Sequence, residues 1–227
     1  MSIGKANKED LYKIEDLIEQ DNHSEALKRL IWFHEASRES EGLGGVRLSY
    51  AIESWLALGK SYPPAMTALI KLRDSNKETL LSGKCKFENF HDFAAINHYL
   101  ESEEDTLMTF LSLYENDHNR SREFYAVVED LLVKNKYYDV CAYYIKDPIT
   151  KYRDIENAYK LQEEIAQTLP PETQGSFFKF MALTYTRSVC QLIEVMVAID
   201  RMQDAKEVQM AALNHQENEE IEKALSL

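Results

Sequence analysis

His34 and Glu35 stand side by side in a helical stretch, the start of a zinc-protease pattern that a second histidine four residues after the first would complete. Position 38 holds Arg38 instead, so a hydrolytic zinc centre of that type is excluded. His91 and His98 share one side of a helix, but the rise between them is about 10.5 Å. Two nitrogens that must each sit about 2 Å from one zinc ion cannot be that far apart without further ligands. The glycine-rich segment EGLGGV, Glu41 to Val46, lacks the Lys-Ser/Thr of a phosphate-binding loop and reads as a connection. A Gly-x-Ser-x-Gly elbow and a dinucleotide fingerprint are both missing. The expectation is a protein with no catalytic activity of its own, no metal and no cofactor.

The informative residues are polar ones that helical phase places within apolar faces. His34 follows Leu30 and Ile31, Arg73 follows Leu69 and Ile70, and Asn97 is bracketed by Phe93, Ala94 and Leu100. All three are expected to point inward. A buried histidine or arginine without partners is costly, and Glu35, Asp74 and Asp92 are candidate counter-groups. Such a set forms either a structural network or the lining of an enclosed polar pocket. Trp32 is the converse case, since it falls among Glu25, Lys28, Arg29 and Glu35 on the side away from the apolar stripe. It is a contact to a neighbouring helix pair or an interface anchor. Tyr137, Tyr138, Tyr143, Tyr144, Tyr152 and Tyr159 crowd one short stretch, and tyrosine serves both helix-repeat interiors and binding surfaces. Trp32, Tyr137, Tyr138 and Tyr144 therefore join His34, Arg73 and Asn97 as candidate binding residues.

The elements that must position these side chains are helix pairs. EVMVAIDRMQDAKEVQMAAL, Glu194 to Leu213, reads as two helices meeting at a turn over Asp200 to Gln203. DLIEQDNHSEALKRL around Ala26 and DLLVKNKYYDVCAYY around Val140 align with it without gaps when Ala26, Val140 and Ala205 share a column. Five residues earlier stand Asp21, Asn135 and Asp200, the non-glycine types that best tolerate the left-handed conformation closing a helix. These hairpins resemble the tetratricopeptide repeat. Ala26 and Ala205 match its small second-helix position, Tyr137 the aromatic before it, and Leu30 and Tyr144 the large position four residues on. The first-helix Trp-Leu-Gly-Tyr signature is absent, and anchor separations of 114 and 65 residues are not multiples of the roughly 34-residue period. The resemblance implies a helical-repeat module that binds proteins or peptides.

Composition narrows the partners. Of 227 residues, 26 are basic and 39 acidic, giving a net charge of −13, which repels a phosphate backbone and excludes duplex nucleic acid as a ready partner. A basic or amphipathic protein segment suits that field. With 7 glycines and 5 prolines, long helices and short connections are expected. Cys85, Cys141 and Cys190 are widely spaced without a CxxC and read as reduced, structural thiols. MSIGKANKED has no apolar core of a secretory signal, and the apolar run FFKFMALTYTRSVCQLIEVMVAI carries Lys179, Arg187 and Glu194. It reads as a core helix in a cytoplasmic protein with no membrane partner.

In chain order, Asn7 caps a first helix and Ser24 a second; YPPAM opens a helix to about Ser82, kinked near Arg73 to Asn76, and another runs from Phe87 to Glu101. Asp147-Pro148 and PPETQG mark two later helix starts. The fold class expected is all-α, a right-handed superhelical array of antiparallel helix pairs. It would form a single helical-repeat domain over 1–227, with an acidic tail at 215–227 that docks or frays. Function is expected to be protein or peptide binding on the concave face. A small-ligand sensor closing around His34, Arg73 and Asn97 is the first rival, and an enzyme with an unrecognised site is the second.

Overall fold

The computed structural model describes residues 4–84 and 86–226. Among them all regular structure is helical: α1 (Lys8–Glu19), α2 (His23–Ala36), α3 (Gly44–Leu48), α4 (Tyr50–Ser61), α5 (Pro63–Leu81), α6 (Phe87–Tyr99), α7 (Glu103–Asn116), α8 (His118–Lys134), α9 (Tyr138–Tyr144), α10 (Pro148–Thr168), α11 (Pro171–Ala198), α12 (Met202–His215) and α13 (Glu219–Lys223). The chain forms two compact units, Met1–Val128 and Glu129–Leu227, with the division inside α8. No helix among the described residues is long and apolar enough to cross a membrane.

Local chemistry accounts for several of the helix starts. Asn7 accepts from the Asp10 amide at 3.2 Å while the Asp10 carboxylate accepts from the Asn7 amide at 3.0 Å, a reciprocal capping box. Asp147 accepts from the amides of Ile149 and Thr150, and prolines open α5, α10 and α11, where a missing N–H costs nothing. Ser24 does not cap: α2 begins one residue earlier, after Asn22, because a tight turn already delivers the chain into the helix. Gly44 starts the short α3, so the glycine-rich connection is partly helical. α5 is one continuous helix through Arg73 to Asn76. The acidic tail docks, since Asn218 caps α13, Ile221 is fully buried and Gln209 donates to the Ile221 carbonyl at 2.8 Å.

Four helix ends share one device. Asp21, Glu101, Lys136 and Asp200 have φ between 54° and 62°. In each case the next residue's amide reaches back five positions: Asn22 to Leu17, Ser102 to Asn97, Tyr137 to Leu132 and Arg201 to Met196. This is the Schellman closure. Five residues after each turn lies a buried small or medium side chain, Ala26, Thr106, Cys141 or Ala205, at no more than 1% exposure. The left-handed residue in the third hairpin is therefore Lys136, not Asn135, and the anchor is Cys141 rather than Val140. The gap-free alignment matched Val140 on apolarity, whereas counting five residues from the left-handed Lys136 places the anchor one position later, at the fully buried Cys141. The hairpin of α6 and α7 went unread because Glu101 and Thr106 carry no turn or anchor signature of their own.

Lys136 bears left-handed strain of about 1–2 kcal/mol that glycine would not. Lys136→Gly is expected to raise stability by about 0.5 kcal/mol, the relief exceeding the entropy glycine adds to the unfolded chain. A urea midpoint that stays put or falls would contradict this. Cys141 and Cys190 are free thiols, and burial pushes the Cys190 thiol up; Cys85 lies outside the described residues.

Candidate functional site

In the first unit the polar groups converge on Asp92, a fully buried carboxylate on α6. His34 of α2 places Nε2 3.2 Å from Asp92 Oδ2, and Arg38, in the 3₁₀ turn after α2, donates from Nη2 to the same oxygen at 2.6 Å. Arg47 of α3 donates from Nη1 to Oδ1. Both guanidinium Nε atoms, of Arg38 and Arg47, are buried without a protein acceptor. The His34 ring meets the Trp55 ring edge-on, with centroids 6.3 Å apart, and the Trp55 indole donates to the Ala65 carbonyl.

Two arginines face one carboxylate, so the site already has its positive charge. Burial first, then Arg47 and Arg38, push the His34 pKa down to about 3. The imidazole is neutral at pH 7 and serves as a hydrogen-bond donor to Asp92. Burial and the neighbouring Arg38 lower Arg47 to about 10, still protonated. Burial, then Arg47, also lowers His91. The arrangement pins the 3₁₀ turn and α3 to α6.

His34 and Asn97 are inward, as their phase predicts, at 2% and 0% exposure. They do not share a partner. Asn97 donates to Thr106 Oγ1 at 3.0 Å, tying α6 to α7, while its Oδ1 has no partner. Arg73 departs from expectation: it turns to its neighbour Asp74, with Nη2 2.6 Å from Oδ1, at the surface. The buried row of α5 is Leu69, Asn76 and Leu80, while Ile70 is 37% exposed. Arg73 sits at the edge of that row and carries its charge outward along its stem. Arg38, Arg47 and Asn76 were missed. Asn76 accepts from Asn89 at 2.9 Å, and Arg47 sits in a glycine-rich segment with no periodicity to reveal a buried side.

His98 bonds Glu103 at 2.7 Å, and His91 lies edge-on to Phe87. The described residues contain no group of three metal-ligating side chains. In the second unit Tyr137 is exposed, Tyr138 donates to Glu194 at 2.7 Å, which raises its phenol pKa, and Tyr143 and Tyr144 pack edge to face.

Two surface depressions lie among the described residues. A groove of about 350 Å³ between α1 and α2 is lined by the charged Asp10, Lys13, Asp16 and Arg29, by Gln20, by the apolar Ile14 and Leu17, and by the half-buried Trp32. A cleft of about 220 Å³ between α10 and α11 lies over Tyr159, Met181 and Tyr185. Below it the Tyr152 and Tyr185 hydroxyls are 3.1 Å apart, and Tyr152 also reaches the Ala211 carbonyl. Burial and that hydroxyl pair push the Tyr185 phenol up. No protein-family model, curated protein or solved structure matches this chain.

Proposed function

We propose that this chain is a helical-repeat binding module of tetratricopeptide-like type, without chemistry of its own. In this reading its first hairpin receives a basic amphipathic segment of a partner protein. The observation that carries the reading is Trp32 at the edge of the α1–α2 groove. Among the described residues its indole N–H has no hydrogen-bond partner, and an indole with an apolar body and a free polar tip is a residue type enriched among interface anchors. Residues 7–36 carry eight acidic and four basic side chains, so the hairpin as a whole is net negative and favours basic chains, although the groove lining itself balances two acids against two bases. The recurring left-handed turns, each followed five residues on by a buried anchor, support the repeat reading. The groups around Asp92 hold one another and support a structural role in preference to a sensor pocket.

The test is calorimetric titration with an amphipathic helical peptide built only of leucine and lysine. Trp32→Ala is expected to weaken binding by about 30-fold, the loss of one hot-spot anchor of about 2 kcal/mol. The reading fails if Trp32→Ala binds as tightly as the unsubstituted chain.

A further inference from the structure

Past α12 the chain turns back on the helices it has just left. His215 closes α12 and is fixed there, its ring edge-on to Tyr159 with centroids 5.7 Å apart and tilted against Tyr185 at 5.5 Å. Gln216 and Asn218 are then extended, which breaks the helix, and Asn218 opens α13 by accepting from the Glu220 and Ile221 amides. The upstream side of this joint is anchored, so any movement of the segment begins after His215.

α13 and the turn that follows it lie across α11 and α12. Ile221 and Ala224, three positions apart and so on one side, are buried, whereas Glu219, Glu220, Glu222 and Lys223 are exposed. Polar attachment comes from Asn218 Nδ2, which donates to Thr186 Oγ1 of α11 at 2.8 Å, and from Gln209 Nε2 of α12, which donates to the Ile221 and Glu222 carbonyls at 2.8 and 2.9 Å. Among the described residues no ion pair ties the segment to the rest of the chain, and the pair it makes, Lys223 with Glu219, is internal. Residues 217–225 hold four acidic and one basic side chain, and residues 129–215 hold thirteen and ten, so each side is net −3 and overall charge does not hold the segment down.

A helix of five residues does not persist on its own. Docking and helix formation are therefore one event for α13, and unseating Ile221 and Ala224 melts it. The helices beneath are held independently: α11 buries eight side chains, and α12 buries Ala205, Val208 and Ala212 and packs on both α10 and α11. Release of the segment leaves them folded, a local opening far short of global unfolding. Cys190 lies one turn beyond Thr186 on α11, on the side that Asn218 clasps. It is a half-buried free thiol, and burial followed by the Glu220 and Glu194 carboxylates pushes it up, which sets Glu220 of α13 close beside it.

We infer that residues 217–225 form a strap that swings off α11 and α12 about Gln216, melting as it leaves, and that this strap controls access to the Cys190 thiol. The open state presents the thiol together with the strip that Ile221 and Ala224 cover when the strap is closed. The strap lies in the second unit and does not depend on the Trp32 groove, so either reading can fail alone.

Hydrogen exchange of the full chain, followed by mass spectrometry, tests the opening. Amides 219–224 are expected to exchange at least about 100-fold faster than those of α12, yet at least about tenfold slower than an unstructured chain. Ile221→Ser removes the larger buried side chain of the strap. It is expected to speed exchange of amides 219–224, and alkylation of Cys190 by iodoacetamide assigned by peptide mapping, at least about tenfold, with amides 205–212 unchanged. Gln209→Ala leaves the buried side chains in place and is expected to act in the same direction by about fivefold. Strap amides as slow as those of α12, or as fast as an unstructured chain, would show that no separate opening exists. An unchanged Cys190 rate in both variants, or loss of protection in α12 together with the strap, equally overturns the inference.

Discussion

Asp92→Asn is expected to lower the melting temperature by about 10–15 °C, because it removes the one carboxylate that both Arg38 and Arg47 contact while leaving their charges in place. Breaking a buried ion pair by deleting one partner costs about 3–5 kcal/mol, and a chain of this size loses roughly 2–4 °C per kcal/mol. Asparagine is close in shape, so packing around α6 is little disturbed. Its amide nitrogen, however, would face guanidinium donors, and the charge of Arg47, whose side chain is 4% exposed, would be stranded, whereas Arg38 keeps Glu35 at 3.7 Å. Arg47→Met in the same background is expected to restore part of the loss, since it withdraws the stranded cation while keeping most of the apolar stem. Arg73→Met provides the contrast. Among the described residues its partner is the adjacent, half-exposed Asp74, and its effect should stay within about 1 kcal/mol. A melting temperature for Asp92→Asn within a few degrees of the unsubstituted protein would show that the arginines find other counter-charges.

Acidification provides the second large effect. The His34 imidazole has a folded pKa of about 3 against 6.5 for the free side chain. In the interval between these values the unfolded chain binds a proton that the folded chain refuses. Stability from this group is therefore complete above about pH 6.5 and is lost as pH falls toward 3. The full loss is on the order of 5 kcal/mol, at about 1.4 kcal/mol per pH unit within the window. Urea unfolding at pH 7, 5.5 and 4.5 is the measurement, with His34→Leu as the comparison. Carboxylates titrate in both proteins, so the difference between the two slopes isolates the imidazole. Parallel slopes would mean that His34 accepts its proton in the folded state, contrary to its burial between two arginines.

The candidate site was half legible for a reason its residues make plain. Helical phase reports which side of a helix is covered, so His34 and Asn97 were readable as inward from their apolar neighbours three and four positions away. The same logic failed at Arg73, because Ile70, one of the two neighbours it relied on, is itself 37% exposed. Arg47 offered no phase at all. Its burial comes from α3 resting against α6, and its partner Asp92 is 45 residues further along the chain.

Local pattern in the sequence determined the helices themselves, their caps at Asn7 and Asp147, their proline starts, and the left-handed closures at Asp21 and Asp200. Each of these is settled by residues within one or two turns of one another, over which steric and hydrogen-bonding preferences act directly. The structure shows that Lys136 rather than Asn135 carries the third closure and that the anchor position five residues on falls at Cys141 rather than Val140. It also decided that His34, Arg38 and Arg47 share one carboxylate, and that two phenylalanines of α11, Phe178 and Phe180, are left exposed. Those outcomes depend on how helices cross, and a crossing brings together residues such as His34 and Asp92, 58 positions apart, whose proximity no local periodicity encodes.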